Sequence, residues 1–102
     1  MPLTSKQRAD LRAEAHHLTA LVHVGHQGLS PAVTGSLEDA LRTRELVKVQ
    51  LGRQIDVTAK DAAHALAECT GADVVQVIGR TATLYRENPE LRKAGVEKPW
   101  RS

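Results

Sequence analysis

The sequence contains no phenylalanine, one tryptophan and one tyrosine, so aromatic side chains make up 2% of its 102 residues. The hydrophobic content is nevertheless 41%, which means that any core has to be built from aliphatic side chains. A chain of this length permits one domain, and such a domain buries roughly two thirds of its unfolded surface. We therefore expect a single globular domain with an aliphatic core.

Cysteine is equally scarce. A single cysteine, Cys69, excludes an internal disulfide and a metal site made of several cysteines. Cys69 follows Ala62, Ala65 and Leu66 at the spacing of one face of a helix. This apolar face predicts a buried structural thiol rather than a nucleophile. No apolar run approaches the roughly 20 residues of a membrane span, and the N-terminus lacks the apolar stretch of a signal peptide. We expect a cytoplasmic protein that does not associate with membranes.

The sequence has little excess charge of either sign. Fourteen Lys and Arg residues oppose 12 Asp and Glu residues, for a net charge of +2. Residues 1–86 carry ten cations against nine anions, and residues 87–102 carry four against three. Bulk electrostatics alone therefore do not identify a nucleic-acid partner, and such a function would have to arise from a local arrangement.

Apolar periodicity and capping residues predict three helices and four strands in the order αβαβαββ. The predicted helices run to about His17, from Pro31 to about Thr43, and from the Thr58 cap to Gly71; the predicted strands are 21–24, 46–51, 73–78 and 81–86. This alternation favours an α/β domain with a mainly parallel sheet, to which a terminal hairpin adds an antiparallel strand. The pattern ends after Arg86. We expect a domain over residues 1–86 and a mobile tail over 87–102.

The stretch from Val24 to Pro31 carries the strongest functional signal. A short strand ends at Val24, Gly25 and Gly28 enclose His26 and Gln27, and Ser30 and Pro31 then open a helix. Glycines remove the Cβ atoms that would keep a ligand from the backbone, and the helix N-terminus favours an anion. KH domains hold about four nucleotides with such a Gly-x-x-Gly loop. The same spacing also suits a tight turn with no ligand, so the pattern alone leaves both interpretations open.

Two cofactor classes are excluded at this turn. A nucleotide-triphosphate loop needs a longer glycine-rich turn followed by Lys and Ser or Thr, and a dinucleotide fingerprint needs a third glycine. We expect no cofactor.

The sequence offers further candidates for contacts with an anionic backbone. Cations that could surround the turn include Arg8, Arg12, Lys48, Arg53 and Arg80. Each alone is most often a solvated surface charge, but as a set around the turn they would contribute additive, salt-sensitive phosphate contacts. Tyr85 could stack on a base or cover the sheet.

The five histidines provide no group of three or four metal ligands at a familiar spacing, and Cys69 and His64 do not form a supported nucleophile–base pair. We expect neither a metal site nor an enzyme. A small hydrolase or metalloenzyme remains an alternative, which elemental analysis for a bound metal would test.

Several blocks of the sequence, in this order and spacing, resemble the CRM domain. They are Thr4-Ser5-Lys6-Gln7-Arg8, the turn from Val24 to Leu29, Glu45-Leu46-Val47-Lys48-Val49, and Val75 to Thr81 continuing through Leu84-Tyr85-Arg86. The resemblance covers about residues 3–86 and is closest to the small, single-domain bacterial YhbY-type proteins. It implies a two-layer α/β fold with a four-stranded mixed sheet, similar to the C-terminal domain of translation initiation factor three.

The resemblance also implies a function. Members of this family bind RNA, and the stand-alone bacterial ones associate with precursors of the large ribosomal subunit. The phosphate-facing loop of the family corresponds to Gly25, His26, Gln27 and Gly28. We therefore expect a monomeric, non-enzymatic protein that binds ribosomal RNA through this loop, Ser30 and the five surrounding cations. The alternative is a protein-interaction module on the ribosome or translation machinery, with the tail as its binding segment.

Overall fold

The computed structural model of the chain describes residues 3–25, 29–53 and 57–90. Its elements follow the predicted αβαβαββ order and are α1 (Ser5–Ala15), β1 (Val22–Val24), α2 (Pro31–Arg44), β2 (Leu46–Leu51), α3 (Ala59–Thr70), β3 (Asp73–Ile78) and β4 (Thr81–Tyr85). Helix α1 ends two residues earlier than predicted, and β4 ends one residue earlier.

Each helix begins directly after a capping residue, which for α2 and α3 is the predicted one. The hydroxyl of Thr4 accepts from the backbone N–H of Gln7 at 3.0 Å, and the side chain of Gln7 accepts in return from the N–H of Thr4 at 2.9 Å. Ser30 and Thr58 cap α2 and α3 in the same way. Gly71 ends α3 at φ 71°, a left-handed conformation that glycine adopts without a Cβ clash.

The sheet is mixed, with the strand order β1-β2-β4-β3. Strands β1 and β2 are parallel, whereas β4 pairs antiparallel with both β2 and β3. The expectation of a mainly parallel sheet was therefore wrong. The reason lies in β4, in which every residue after Thr81 is buried. A strand this apolar suits a central position, so it inserts between β2 and β3 and leaves the more exposed β3 at the edge.

Helices α2 and α3 cover one face of the sheet and form the main core with it. The largest fully buried side chains of this core are aliphatic and are Val24, Leu37, Leu41, Val47, Val49, Leu51, Leu66 and Leu84. Side chains alternate between the two faces of a strand. Leu46 of β2 therefore points away from this core, while Val47 points into it.

Helix α1 packs on the opposite face and covers only part of it. Leu11 of α1 is fully buried against Leu46, Val75 and Tyr85. The two layers that the family resemblance implies are the sheet and the pair of helices α2 and α3. Helix α1 lies on the opposite face of the sheet. Tyr85 is 6% exposed in this cluster, so its ring covers the sheet and does not serve as a platform for a base.

Cys69 is exposed, which contradicts the predicted buried thiol. The buried face of α3 is rotated by one residue from the predicted stripe and consists of Ala62, Ala63, Leu66, Ala67 and Thr70. A buried threonine is tolerated there because its hydroxyl donates to the carbonyl of Leu66 at 2.8 Å.

An arginine joins α2, α3 and the end of β4. Nη1 of Arg86 donates to both carboxylate oxygens of Glu38, at 2.9 and 2.8 Å, and to the carbonyl of Thr70 at 2.8 Å. Beside it, the buried carboxylate of Glu45 accepts from the backbone N–H of Asn88 at 2.7 Å. We call this the far end of the sheet, since β4 ends and β2 begins here. None of the helices in the described part of the chain is long and apolar enough to cross a membrane.

Candidate nucleic-acid interface

Three chain segments meet at the other end of the sheet, which we call the turn end. They are Gly25 after β1, Gly52 and Arg53 after β2, and the β3–β4 turn at Gly79 and Arg80. The N–H of Gly52 donates to the carbonyl of Val24 at 2.8 Å, and the N–H of Leu51 donates to the carbonyl of Arg80 at 2.7 Å. These bonds extend the ladder beyond the strands and fix the three segments side by side.

Gly52 lies against the start of the Gly-x-x-Gly turn. A Cβ atom at position 52 would lie 2.7 Å from the carbonyl oxygen of Val24 and 3.7 Å from Cα of Gly25. Because both of these are backbone atoms, they cannot move aside as a flexible side chain would. Residue 52 must therefore be glycine for β1 and β2 to end side by side. The only sign of this role in the sequence is a glycine that follows a predicted strand.

Two arginines contribute the positive charge at the turn end. Arg80 is exposed, and its Nη1 donates to the carbonyl of Gly52 at 3.1 Å, which holds the guanidinium across the end of β2. Arg53 is also exposed and follows Gly52 directly. Both residues line one shallow depression together with Gln50 and Gly79. The structure thus brings together Gly25, Arg53 and Arg80 of the predicted set.

Helix α2 begins at the same end. Ser30 adopts extended backbone angles, and its hydroxyl accepts from the N–H of Val33 at 3.3 Å. Its carbonyl accepts from the backbone N–H of Thr34 at 3.0 Å. Pro31 at the first position has no N–H to offer, so the positive pole of this helix rests on the remaining N–H groups of its first turn. Ser30 therefore acts as the cap of the helix and lies beside the turn.

The three residues at the centre of the prediction, His26, Gln27 and Gly28, lie outside the described residues. Their assignment stays a prediction. The described flanks of the turn are Gly25, where a Cβ would meet nothing within 4 Å, and the exposed Leu29.

The remaining predicted cations lie away from the turn. Arg8 belongs to α1, and its Nη1 donates to the carbonyl of Val74 at 3.1 Å, at the start of the edge strand β3. Arg12 is exposed on the last turn of the same helix. Lys48 lies in the middle of β2 on the α1 side, where its ammonium donates to the carbonyl of Leu18 at 3.3 Å. The structure does not bring Arg8, Arg12 or Lys48 to the turn end.

The turn end also exposes apolar side chains. Of the four large hydrophobic residues that are exposed in the described chain, Leu29, Val57 and Ile78 each border one of the loops at this end. A surface that combines arginines with aliphatic side chains can contact both the phosphates and the bases of a nucleic acid. Among the described residues, no group of three His, Cys, Asp or Glu side chains is placed to hold a metal ion.

The fold and this end of the sheet define a small α/β domain that presents backbone, arginine and aliphatic groups on one loop cluster. Comparison with known proteins agrees with that class. The model of the CRS1/YhbY (CRM) domain matches residues 3–86, and the chain belongs to this family.

Relatives match along nearly the whole chain. "Probable RNA-binding protein YqeI" of Bacillus subtilis (strain 168) is 39% identical over 97 residues, covering 95% of this chain and 99% of that protein. A Haemophilus influenzae protein named "RNA-binding protein" is 36% identical over 90 residues, covering 88% and 91%. The solution structure of SAV1595 from Staphylococcus aureus aligns with a TM-score of 0.75 and 33% identity, over 96% of this chain and 100% of that one.

The structure separates two roles within the blocks of sequence that resemble the family. Gly25 and Arg80 lie in the loops of the turn end, where they face solvent. Glu45 and Arg86 lie at the far end, where their side chains join elements of the fold. The second pair therefore has a structural explanation that requires no ligand.

Proposed function

We propose that this protein binds RNA at the turn end and acts, as a cytoplasmic monomer without enzymatic activity, in the assembly of the large ribosomal subunit. The observation that carries the proposal is the convergence of Gly25, Arg53, Arg80 and the N-terminus of α2 on one end of the sheet. The names of the relatives support RNA as the ligand. The ribosomal role rests on the resemblance to the stand-alone bacterial members of the family.

The binding mode follows from the groups that converge there. Backbone N–H groups and a helix N-terminus accommodate phosphates without regard to sequence, and arginines add charge-assisted hydrogen bonds. Contacts of this kind position an RNA backbone but carry little sequence information. The expected ligand is therefore ribosomal RNA that is single-stranded or folded so that its backbone is accessible, with the Gly25–Gly28 turn as the main phosphate site.

Charge reversal at the turn end tests the site. Arg53→Glu should weaken binding to ribosomal RNA fragments by roughly tenfold, which is about 1.4 kcal/mol, and reduce the salt slope by about one. Replacing both His26 and Gln27 by Asp should weaken binding further. Affinity is measured by gel shift across a series of salt concentrations.

Lys6→Glu is the matched control, since it changes the net charge equally on α1, away from the turn end. The Lys6 ammonium is exposed, and within the described residues its ion pair is with Asp10 of the same helix. Its reversal should change affinity little. If the Lys6 and Arg53 variants lose affinity equally while both remain folded, the turn end is not the RNA site. Crosslinking in cells followed by sequencing of the attached RNA would test the ribosomal role, and recovery of no ribosomal RNA would contradict it.

The exposed Leu29, Val57 and Ile78 favour a second candidate, a protein-interaction surface at the same end. Salt distinguishes the two functions, because counterion release makes RNA binding fall steeply between low and physiological salt. An apolar protein contact should not weaken in that range.

A further inference from the structure

A second feature of the structure is a notch between α1, the end of α2 and the first half of β2. In the described part of the chain, the three residues of β1 pair with Val49 to Leu51, and the N–H of Leu21 donates to the carbonyl of Lys48 at 3.1 Å. Among these residues, no strand lies beside Leu46 and Val47 on that edge of β2. The space left there encloses about 320 Å³. Its aliphatic wall includes Leu21 and Leu46, and its polar rim includes Glu14, His17, Arg44 and Lys48.

The notch connects to the turn end along the outer edge of the sheet. Leu21 lines the notch and also lines a smaller groove between β1 and α2, next to His23 and Ser36. That groove follows β1, whose last residue precedes Gly25. The distance from Leu21 to Gly25 is four residues of extended chain, or roughly 13 Å. The outer edge of the sheet along β1 thus leads from Gly25 to the notch.

The lining of the notch favours an anionic polymer with flat, partly apolar side groups. Arg44 and Lys48 line the notch together with one carboxylate, that of Glu14. The Lys48 ammonium has three donors and uses one on the carbonyl of Leu18, so it has donors left for a ligand. Leu21 is 46% exposed, an apolar surface that a bound ring would cover.

We propose that the notch holds an unstacked base of the RNA strand whose backbone lies on the turn. This inference rests on the proposed function and assigns that site a second contact, made with a base rather than with phosphate. The single aromatic residue of the described chain, Tyr85, is buried under α1, so the base packs on leucine side chains instead. At the edge of the base, N–H groups can donate to the carboxylate of Glu14, and carbonyl oxygens can accept from Arg44 and Lys48.

The test compares a 12-residue oligouridylate with an abasic ribose-phosphate strand of the same length. The two probes carry the same phosphates, and the ratio of their affinities therefore measures the contribution of bases. Leu21→Ala should lower that ratio by about fivefold, at the low end of what base contacts contribute. Arg44→Ala should weaken both probes, because it removes a cation from the rim.

One matched variant serves as the control. Arg42→Ala removes an arginine on the same turn of α2 that does not line the notch. It should not change the ratio, and thermal unfolding should show all three variants folded. An unchanged ratio in Leu21→Ala, with binding of both probes intact, overturns the base site and leaves the proposed function standing. Failure of the unaltered protein to bind either probe contradicts the proposed function itself.

Discussion

At the scale of single residues, two glycines have opposite consequences that their sequence context does not reveal. Gly35 lies inside α2, where a glycine either permits a close contact or weakens the helix relative to alanine. A Cβ at this position would meet nothing within 4 Å, so no close packing requires it. Gly52 follows a strand, a common place for a glycine. Here the close approach of β1 and β2 requires a glycine, because a Cβ would lie 2.7 Å from the carbonyl oxygen of Val24.

The same substitution at these two positions should therefore change stability in opposite directions. Gly35→Ala should raise the free energy of unfolding by up to about 1 kcal/mol, since alanine is the better helix former and the space is open. Gly52→Ala should lower it by about 1–3 kcal/mol, because β1 has to move away from β2. Urea unfolding of both variants measures the two effects.

The Gly52 variant should also bind RNA less tightly, since the displaced backbone leads directly into Gly25. The Gly35 variant should bind normally. Two variants with the same sign of stability change would contradict the close approach between β1 and β2.

Glu45 is another residue whose environment was hidden in the sequence. It connects α2 to β2 at φ 65° and ψ −47°, and it is fully buried. A positive φ costs a residue with a side chain about 1–3 kcal/mol unless its surroundings hold it there. The backbone carbonyl of Glu45 accepts from the N–H of Arg86 at 2.9 Å, and its carboxylate accepts from Asn88. The sequence pattern predicted a strand start here but not the strained turn that precedes it.

At the scale of elements, local signals predicted what each segment forms, and pairing decided where it lies. The caps at Thr4, Ser30 and Thr58 depend on side chains three residues apart, which a sequence shows directly. The position of β4 between β2 and β3 depends on the competition among strands for a central place. The burial of β4 is the physical reason for that outcome, and it becomes visible only when the strands are paired.

The site shows the same division between local and long-range signals. Its glycine turn and the arginines at the loop tips, Arg53 and Arg80, could be picked out from sequence because loops follow strands. The position of Arg8 could not be predicted in the same way. Its side chain extends to β3, and this contact joins residues 66 positions apart.

The Arg86 contact at the far end can be distinguished from an ordinary surface ion pair. Arg86 and Glu38 are 25% and 41% exposed, whereas Arg42 and Asp39 are 65% and 70% exposed, and both pairs have a 2.8 Å separation. Arg86→Met should lower the free energy of unfolding by about 1.5–3 kcal/mol, because the guanidinium also holds the Thr70 carbonyl at the end of α3. Arg42→Met should change it by less than about 1 kcal/mol.

Denaturant unfolding of the two methionine variants measures the difference, and gel shifts should find unaltered RNA affinity for Arg86→Met under conditions where it is folded. Equal losses of stability would show that the contacts of Arg86 with Glu38 and Thr70 contribute no more than a surface ion pair. A loss of RNA affinity in folded Arg86→Met would place the far end in the binding surface.

At the scale of the whole molecule, the positive charge is unevenly distributed along the chain. Residues 1–90 contain ten Lys and Arg residues and 11 Asp and Glu residues, for a net charge of −1. Residues 91–102 contain four Lys and Arg residues and one Glu, for a net charge of +3. The excess charge of the protein thus comes from its last 12 residues, and the domain itself attracts an anion only where its cations are placed locally.

Truncation after Glu90 separates these two contributions. The shortened chain keeps Asn88, whose backbone N–H bonds to Glu45 and whose side chain bonds to the carbonyl of Arg42, so its thermal midpoint should change little. Its RNA affinity at low salt should fall, and the slope of log affinity against log salt should become shallower, since fewer cations release counterions. Truncation after Arg86 should have the same binding phenotype but a lower thermal midpoint, because it also removes Asn88. If the chain truncated after Glu90 binds RNA with an unchanged salt slope, the last 12 residues do not touch RNA, and the affinity comes from the turn end and the notch alone.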